Sequence, residues 1–439
     1  MVQDAQGLDI SGGNQEAAAF IDDAIRAFTL NYGDVSAVLT QAEKAAPPCV
    51  MVQLIKAWLL ALSNDPAQLS AARQLVAGIR GSRMNEREAS HLAALGLAAE
   101  SRWPSAVTAL DRHLMSYPHD LMAHQAAMRL DGYLGRFHRM AGRAARALPF
   151  WSEAQSGYGI MLSFYGFGLE ESGDYAKAED ISRTAAELEP YGYWPHHAIS
   201  HVLEMTGRPK EGLSWMNDRE QFWSGPQNTN KVHIWWHKSL FHVELDQRDE
   251  ALAIYDDGIL ASIRPVGASL CNLTALLWRL ETLGCAGGTR WDHQCTLWQE
   301  RADGCTSPFN DIHSAMAALG AGNFKIVQDL MTAMRKTAAA GGELAPAYGL
   351  VAIPVVEAMT GFARGIYQDT IDRLLPVRAE LWRMGGSTAQ RDLIEWTLTE
   401  AAVRAGAKNI ALSLANERLA ERPGSAINQD FLKQAQALG

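Results

Sequence analysis

Apolar residues recur about every 3.6 positions from Glu16 to the C-terminus, whereas the alternation typical of strands is almost absent. The segments are rich in Ala, Leu, Glu and Arg, which all favour helices. Short breaks, often one glycine followed by polar residues, separate them. The pattern predicts an essentially all-helical protein without a sheet.

The breaks between these segments are themselves periodic. Gly135, Gly173 and Gly207 open similar turns at spacings of 38 and 34 residues, and Gly322, Gly365 and Gly406 continue the series at 43 and 41. The segment GDYAKAEDISRTAAELEP has a small residue at the turn, an aromatic residue two positions later, an alanine three after that and a closing proline. This is the tetratricopeptide-repeat pattern, whose period is about 34 residues.

We therefore predict an all-α fold, a tetratricopeptide-repeat-like solenoid of helical hairpins with right-handed superhelical winding. A hairpin cannot bury its apolar face alone, so neighbours stack, and the first helix of each lines the concave surface. We expect residues 1–15 to be a flexible tail and residues 16–439 to be one repeat array, with the best signatures in 100–260.

Composition narrows the range of functions. The net charge of -10 and the lack of a basic run argue against nucleic-acid or anionic-membrane binding. Five cysteines without a C-x-x-C motif, behind a polar N-terminus, indicate a reducing cytoplasm. The longest apolar segment, residues 344–363, contains Glu357, and we interpret it as a buried helix that breaks at Pro354 rather than as a membrane span.

Histidines provide the candidate chemistry. His197 and His201 form one H-x-x-x-H step, His233 and His237 form another, and both members are offset by 36 residues. Residues at i and i+4 share a helix face. Since the offset is close to one repeat, the two pairs should face each other from adjacent inner helices, with Glu204 one turn beyond His201. The ligand types suit a divalent metal, zinc or iron or manganese. Polar packing of buried histidines is the alternative.

Several stretches together resemble the tetratricopeptide repeat protein 38 family, as a bacterial member, over about residues 100 to 400. They are YGFGLEESGDYAKAE, HAISHVLEMTGR, HIWWHKSLFHVELDQRDEALAIYD, LLWRLETLG, FNDIHSAMAALGAG and LLPVRAELWRMGGSTAQRD. The resemblance implies a repeat fold and leaves the activity undefined. The residues it marks are His197, His201, Glu204, His233, Trp236, His237, Asn310, Asp311, His313, Gln390, Arg391 and Asp392. This chain departs from the family at Met128 and Arg129, where relatives have a His-Asp pair.

The sequence around these marked residues also predicts where helices begin and which side chains interact. Asp311 fits a helix N-cap, and His313 then points into the groove. Ser387 fits the N-cap of a later helix. Arg391 either forms a structural ion pair with Asp392 or anchors an acidic substrate group.

These observations favour a metal-dependent enzyme that acts on a small molecule in the concave groove, most simply a hydrolase. The metal ligands are His197, His201, His233 and His237, and the candidate catalytic residues are Glu204, Asp311, His313 and Arg391. A repeat scaffold that binds a peptide or protein is the first alternative. A metal-dependent oxygenase or oxidase is the second. The sequence is also compatible with a homo-oligomer.

Overall fold

Helices follow one another along almost the whole chain in a computed structural model that describes residues 2–439. They are α1 Gln15–Leu30, α2 Val35–Ala45, α3 Val50–Ala61, α4 Pro66–Ile79, α5 Glu86–Ala99, α6 Trp103–Ser116, α7 Leu121–Tyr133, α8 Arg139–Ala147, α9 Tyr158–Glu170, α10 Tyr175–Leu188, α11 Tyr193–Met205, α12 Pro209–Asp218, α13 Glu220–Trp223, α14 Lys231–Glu244, α15 Arg248–Ala253, α16 Gly267–Thr282, α17 Thr289–Trp298, α18 Pro308–Gly320, α19 Phe324–Ala340, α20 Ala345–Ala347, α21 Ile353–Ala363, α22 Tyr367–Leu374, α23 Thr388–Arg404, α24 Lys408–Glu421 and α25 Ala426–Ala437.

The predicted turns between the two helices of a hairpin are confirmed. Each of the six turn glycines has a left-handed backbone, with φ between 64° and 81°: Gly135, Gly173, Gly207, Gly322, Gly365 and Gly406. Glycine adopts this conformation without a steric penalty, and it allows the chain to reverse after one helix. The turn between α14 and α15 uses Asp246 instead, at φ 57°, so a search for glycines does not find it.

Burial distinguishes the two helices of a hairpin. In α9, burial extends to almost every position, whereas in α10 only Ala178, Ser182, Ala185 and Ala186 are buried. The first helix is therefore enclosed by its neighbours, and the second presents one face to solvent. Together with the hairpin turns, this establishes the predicted all-α, tetratricopeptide-repeat-like fold.

The N-terminal residues differ from the prediction of a flexible tail and of a protein without strands. Strands β1 Val2–Gln3 and β2 Asp9–Ile10 form a short antiparallel hairpin. The Asp4 carboxylate pairs with buried Arg87 at 3.0 Å, and the Ser11 backbone N–H donates to Glu88 at 2.9 Å. Residues distant in sequence hold this segment in place, and a repeat pattern does not predict such contacts.

The helices fall into two compact units, and the single repeat array over residues 16–439 stays a prediction. The first contains Met1–Ile199 and Glu220–Lys231, and the second contains Ser200–Arg219 and Val232–Gly439. Distant hairpins meet within each unit. In the first, Arg26 and Glu189 pair at 2.5 Å. In the second, Ser425 donates to Glu244 at 2.9 Å, and Gly207 packs directly on Gly424.

The apolar segment is helical from Ala345 to Ala363. Judged by length and composition alone, this helix could cross a membrane. Just over half of it, 56%, is buried inside the fold, as expected for a core helix. The predicted break at Pro354 does not occur, because the backbone is helical on both sides of the proline. The turn before it, Tyr348–Ala352, is π-helical and continues directly into α21.

Candidate metal centre

Three histidines meet inside the second unit. His201 lies near the C-terminal end of α11, and His233 and His237 lie one turn apart on α14. Each offers a ring nitrogen, and these nitrogens lie within 4.8 Å of one another. The ring centroids are 4.6 Å apart for His201 and His237 and 4.8 Å apart for His233 and His237. A cluster this tight can share one metal ion.

His197 lies one turn before His201 on α11, as the spacing predicted. Its ring stacks on Tyr193, with centroids 4.9 Å apart and planes at 21°, and packs against Phe167 at 4.6 Å. The side chain is buried, at 3% exposed. These aromatic rings pack around the imidazole and limit its rotation.

Both histidines of α14 have one ring nitrogen held by a hydrogen-bond acceptor. The His237 Nδ1–H donates to Glu204 Oε2 at 3.0 Å. His233 Nδ1 lies 2.6 Å from Asn272 Oδ1, whose Nδ2 donates to the Ala268 and Ser269 carbonyls. Since those donations fix the amide orientation, Nδ1 of His233 is protonated. In a neutral ring, Nε2 then carries the lone pair that a metal binds.

Burial and positive charge determine the electrostatics of the cluster. Burial lowers the pKa of His237, and neighbouring His201 and Arg279 lower it further. The histidine therefore stays neutral, which is the form that binds metals. Burial raises the pKa of Glu204, but the charges of His201, Arg422 and Arg279 oppose this.

An aromatic ring and a buried cation border the histidines. Trp236 stacks on His233, with centroids 5.1 Å apart and planes at 12°. The Arg279 guanidinium carbon lies 5.7 Å from the centre of the Trp236 ring. Arg279 is 2% exposed, and burial lowers its pKa to about 10 although Asp392 and Glu204 raise it. The site thus has an apolar wall and a fixed positive charge.

The hydrogen-bond partners of Asp311 are not the histidines. The prediction that Asp311 is a helix N-cap is wrong. Ser307 caps α18, and Asp311 lies in its first turn. Its carboxylate accepts from the Tyr348 hydroxyl at 2.6 Å and from the Gly304 backbone N–H at 3.1 Å. Burial raises its pKa to about 7, against the lowering effect of the Tyr348 hydrogen bond. These contacts attach α18 to the preceding loop.

His313 is buried on α18, where its ring Nδ1–H donates to the Phe309 carbonyl at 2.8 Å. Burial lowers its pKa to about 4, and Arg279 contributes to the lowering. The pKa values of both His313 and His237 respond to Arg279, so this guanidinium lies near both imidazoles. His313 is therefore neutral at pH 7, with Nε2 able to accept a proton.

The structure gives Arg391 and Asp392 different partners. Ser387 caps α23 as predicted, in a capping box with Gln390. Arg391 donates to the Gly386 carbonyl and to the Thr388 hydroxyl at the start of the same helix. Asp392 instead binds Arg418 at 2.8 Å and also Arg422. Arg391 lines a separate cavity of about 260 Å³ with residues of α23 and α24.

Sequence reasoning missed two residues of the site, Asn272 and Arg279. Both lie on α16, where they are 2% exposed among apolar neighbours. The available signal was their polarity inside the otherwise apolar stretch LCNLTALLWRL. That signal identifies unusual positions, but it does not identify their partners.

A second histidine cluster in the first unit is a structural network. Asp120 Oδ2 accepts from Arg87 at 2.6 Å, His91 at 2.9 Å and His113 at 3.2 Å. His91 Nδ1 accepts from the Trp58 indole at 3.2 Å. Both ring nitrogens of His91 are thus engaged inside the protein, so this cluster fits a metal less well than the histidines of α14.

Comparisons with known proteins find only solved structures of low sequence identity among the matches reported below. No family model matches the chain. Similar solved structures include the human IFIT1 dimer with m7Gppp-AAAA, at 12% identity and a TM-score of 0.44, covering 98% of this chain and 96% of that one. The human IFIT1 dimer with PPP-AAAA is 14% identical, with a TM-score of 0.42, and the match covers 99% of this chain and 96% of that one. The APC/C hetero-tetramer Cut9-Hcn1 is 13% identical, with a TM-score of 0.35, and the match covers 95% of this chain and 90% of that one. The chain is a tetratricopeptide-repeat-like helical protein, and its resemblance to the tetratricopeptide repeat protein 38 family stays a prediction.

Proposed function

We propose that this protein is a metal-dependent hydrolase of a small molecule, with His201, His233 and His237 as ligands of a divalent metal. His197 lies one turn before His201 on the same helix. Zinc, iron or manganese suits these ligands. The proposal depends on one observation, that Glu204 and Asn272 hold the Nδ1 atoms of two adjacent histidines. Proteins orient metal-binding imidazoles in this way.

The surrounding residues support hydrolysis. When bound, the metal would lower the pKa of a coordinated water towards neutrality. Arg279, whose counter-ion is Asp392 at 3.8 Å, supplies a buried guanidinium that suits a developing negative charge. His313 is neutral at pH 7, and its pKa of about 4 makes it a weak base at that pH. Glu204 orients His237 and is therefore a positioning residue.

A non-catalytic scaffold is the second candidate, and the depth of burial favours it. His201 and His237 are 0% exposed, and His233 is 8% exposed. Such histidines can serve as polar packing between helices. The scaffold would then bind a peptide or protein through other surfaces. An oxygenase or oxidase would use the same ligands with a redox-active metal. The identity of the metal therefore distinguishes this alternative from a hydrolase.

The experiment measures metal content after identical purification from medium supplied with zinc, iron and manganese. We expect wild-type protein to contain a metal and the variants His233→Ala and His237→Ala each to lose most of it. His242→Ala is the matched control, because His242 lies on the same helix and its ring nitrogen contacts Gln247 instead. Circular dichroism establishes that each variant is folded.

Cobalt titration adds a direct readout of coordination. Cobalt(II) bound by three imidazoles should give visible absorption in wild-type protein that is absent from His237→Ala. Wild-type protein that is purified without metal and binds neither zinc nor cobalt on titration would remove the basis of the hydrolase. The histidines would then be packing residues of a scaffold.

A further inference from the structure

Arg129 on α7 is a half-buried cation of the first unit without an acidic partner. No carboxylate of residues 2–439 lies within ion-pair distance of its guanidinium. Its Nη2 donates to Asn31 Oδ1 at 2.5 Å, and its Cζ lies 5.7 Å from the centre of the Trp194 ring. Both partners are neutral. The guanidinium charge is therefore held in the protein without a counter-ion.

Several N–H groups near Arg129 also have no hydrogen-bond partner. They are Asn31 Nδ2, Trp194 Nε1, Asn228 Nδ2 and Arg129 Nε. The side chains of Asn31, Trp194 and Asn228 are only 5%, 4% and 3% exposed. A buried donor without a partner destabilises the fold. All four atoms are donors, so what they lack is an acceptor.

Backbone contacts hold these groups together. Asn31 ends α1 with a left-handed backbone at φ 54°, and its carbonyl accepts from the Thr229 N–H at 2.8 Å. The next residue, Tyr32, forms an isolated bridge with Asn228. The amides of Asn31 and Asn228 are thus positioned by main-chain bonds. Gln125, one turn before Arg129 on the same face of α7, is fully buried, and both polar atoms of its amide lack a partner.

We propose that Arg129, Asn31, Trp194 and Asn228 form a binding site for the oxyanion group, carboxylate or phosphate, of a small molecule. An oxyanion supplies both the missing charge and several acceptor oxygens, and a guanidinium binds it with two parallel hydrogen bonds. A neutral ligand would leave Arg129 without a counter-ion. The proposal does not depend on the metal, because none of these residues is a candidate metal ligand.

Isothermal titration of the protein with inorganic phosphate and with acetate, at constant ionic strength, tests the site. We expect one of the two anions to bind and the variant Arg129→Met to bind it about tenfold more weakly or not at all. Arg112→Met is the control, since it removes the same charge from an exposed position on α6. The anion that binds identifies the ligand as a phosphate or a carboxylate.

Asn31→Asp provides an independent variant with little change in shape. Aspartate tolerates the left-handed backbone as asparagine does, and its carboxylate would pair with Arg129 and occupy the site from within the chain. We expect this variant to fold and to lose the anion response. Equal anion binding by wild type, Arg129→Met and Asn31→Asp would overturn the proposal, as would the absence of binding by wild type to both anions.

Discussion

His233 and His237 each use Nδ1 within the protein, for Asn272 and Glu204 respectively. This choice of nitrogen determines what the ring can do. With the proton fixed on Nδ1, a neutral imidazole presents Nε2 as a ligand, and the partner prevents the ring from flipping. At the residue scale, the site therefore depends as much on Asn272 and Glu204 as on the histidines.

Replacing Asn272 with alanine should weaken metal binding without removing a ligand. His233 would lose the acceptor that orients it, and such losses typically reduce metal affinity about 10–100-fold. Competition with a coloured chelator measures the affinity. Thr274→Val is the control, because Thr274 is buried on the same helix but bonds to Gln294 and Trp298. It should lower stability without changing the affinity, and equal affinities in all three proteins would contradict the orienting role of Asn272.

Among the helices, α18 is attached to its surroundings by one buried carboxyl. Asp311 accepts hydrogen bonds from Tyr348 and from Gly304, and so links α18 to the π-helical turn and to the loop before the helix. Burial raises the pKa of Asp311 to about 7 from its ordinary value of 3.8. The folded protein therefore binds a proton at Asp311 in a pH range where the unfolded chain has released it.

This difference predicts a pH dependence of stability. Between about pH 4 and about pH 7, the Asp311 contribution should fall as pH rises, by at most about 1.4 kcal/mol per pH unit, and then level off above pH 7. Asp311→Asn cannot ionise, so its free energy of unfolding should be flatter in this range. Urea denaturation at several pH values measures it. Exposed Asp257, replaced by asparagine, is the control, and an Asp311→Asn curve parallel to the wild-type curve would contradict the raised pKa.

In the whole molecule, the second unit joins hairpins that are distant in sequence, and the histidines lie between its helices. Glu204 and His237 come from different hairpins, 33 residues apart. A metal bound there would connect α11 to α14. Because only the folded state has this arrangement, the free energy of binding adds to the free energy of unfolding.

Chelation should therefore lower the melting temperature of metal-loaded protein. At a free metal concentration 100 times the dissociation constant, the lost stabilisation is about 2.7 kcal/mol. His237→Ala should melt at the same temperature with and without chelator, whereas His242→Ala should respond as wild type does. Differential scanning calorimetry measures these shifts. Identical melting of loaded and chelated wild-type protein would contradict a metal that connects the two helices.

The sequence by itself determined the helical repeat, the six glycine turns and the spacing of both histidine pairs, because each depends on local backbone geometry. A left-handed turn favours glycine wherever it occurs, and residues at i and i+4 share a face of any helix. The tertiary structure alone decided the N-terminal β-hairpin, the division into two units, and the pairing of Asp392 with Arg418 and Arg422. It also placed Asn272 beside His233, and Asn31 beside an arginine 98 residues away. Such contacts depend on the rotation between each hairpin and the next, which adds up along the chain. A local sequence pattern does not determine that total rotation.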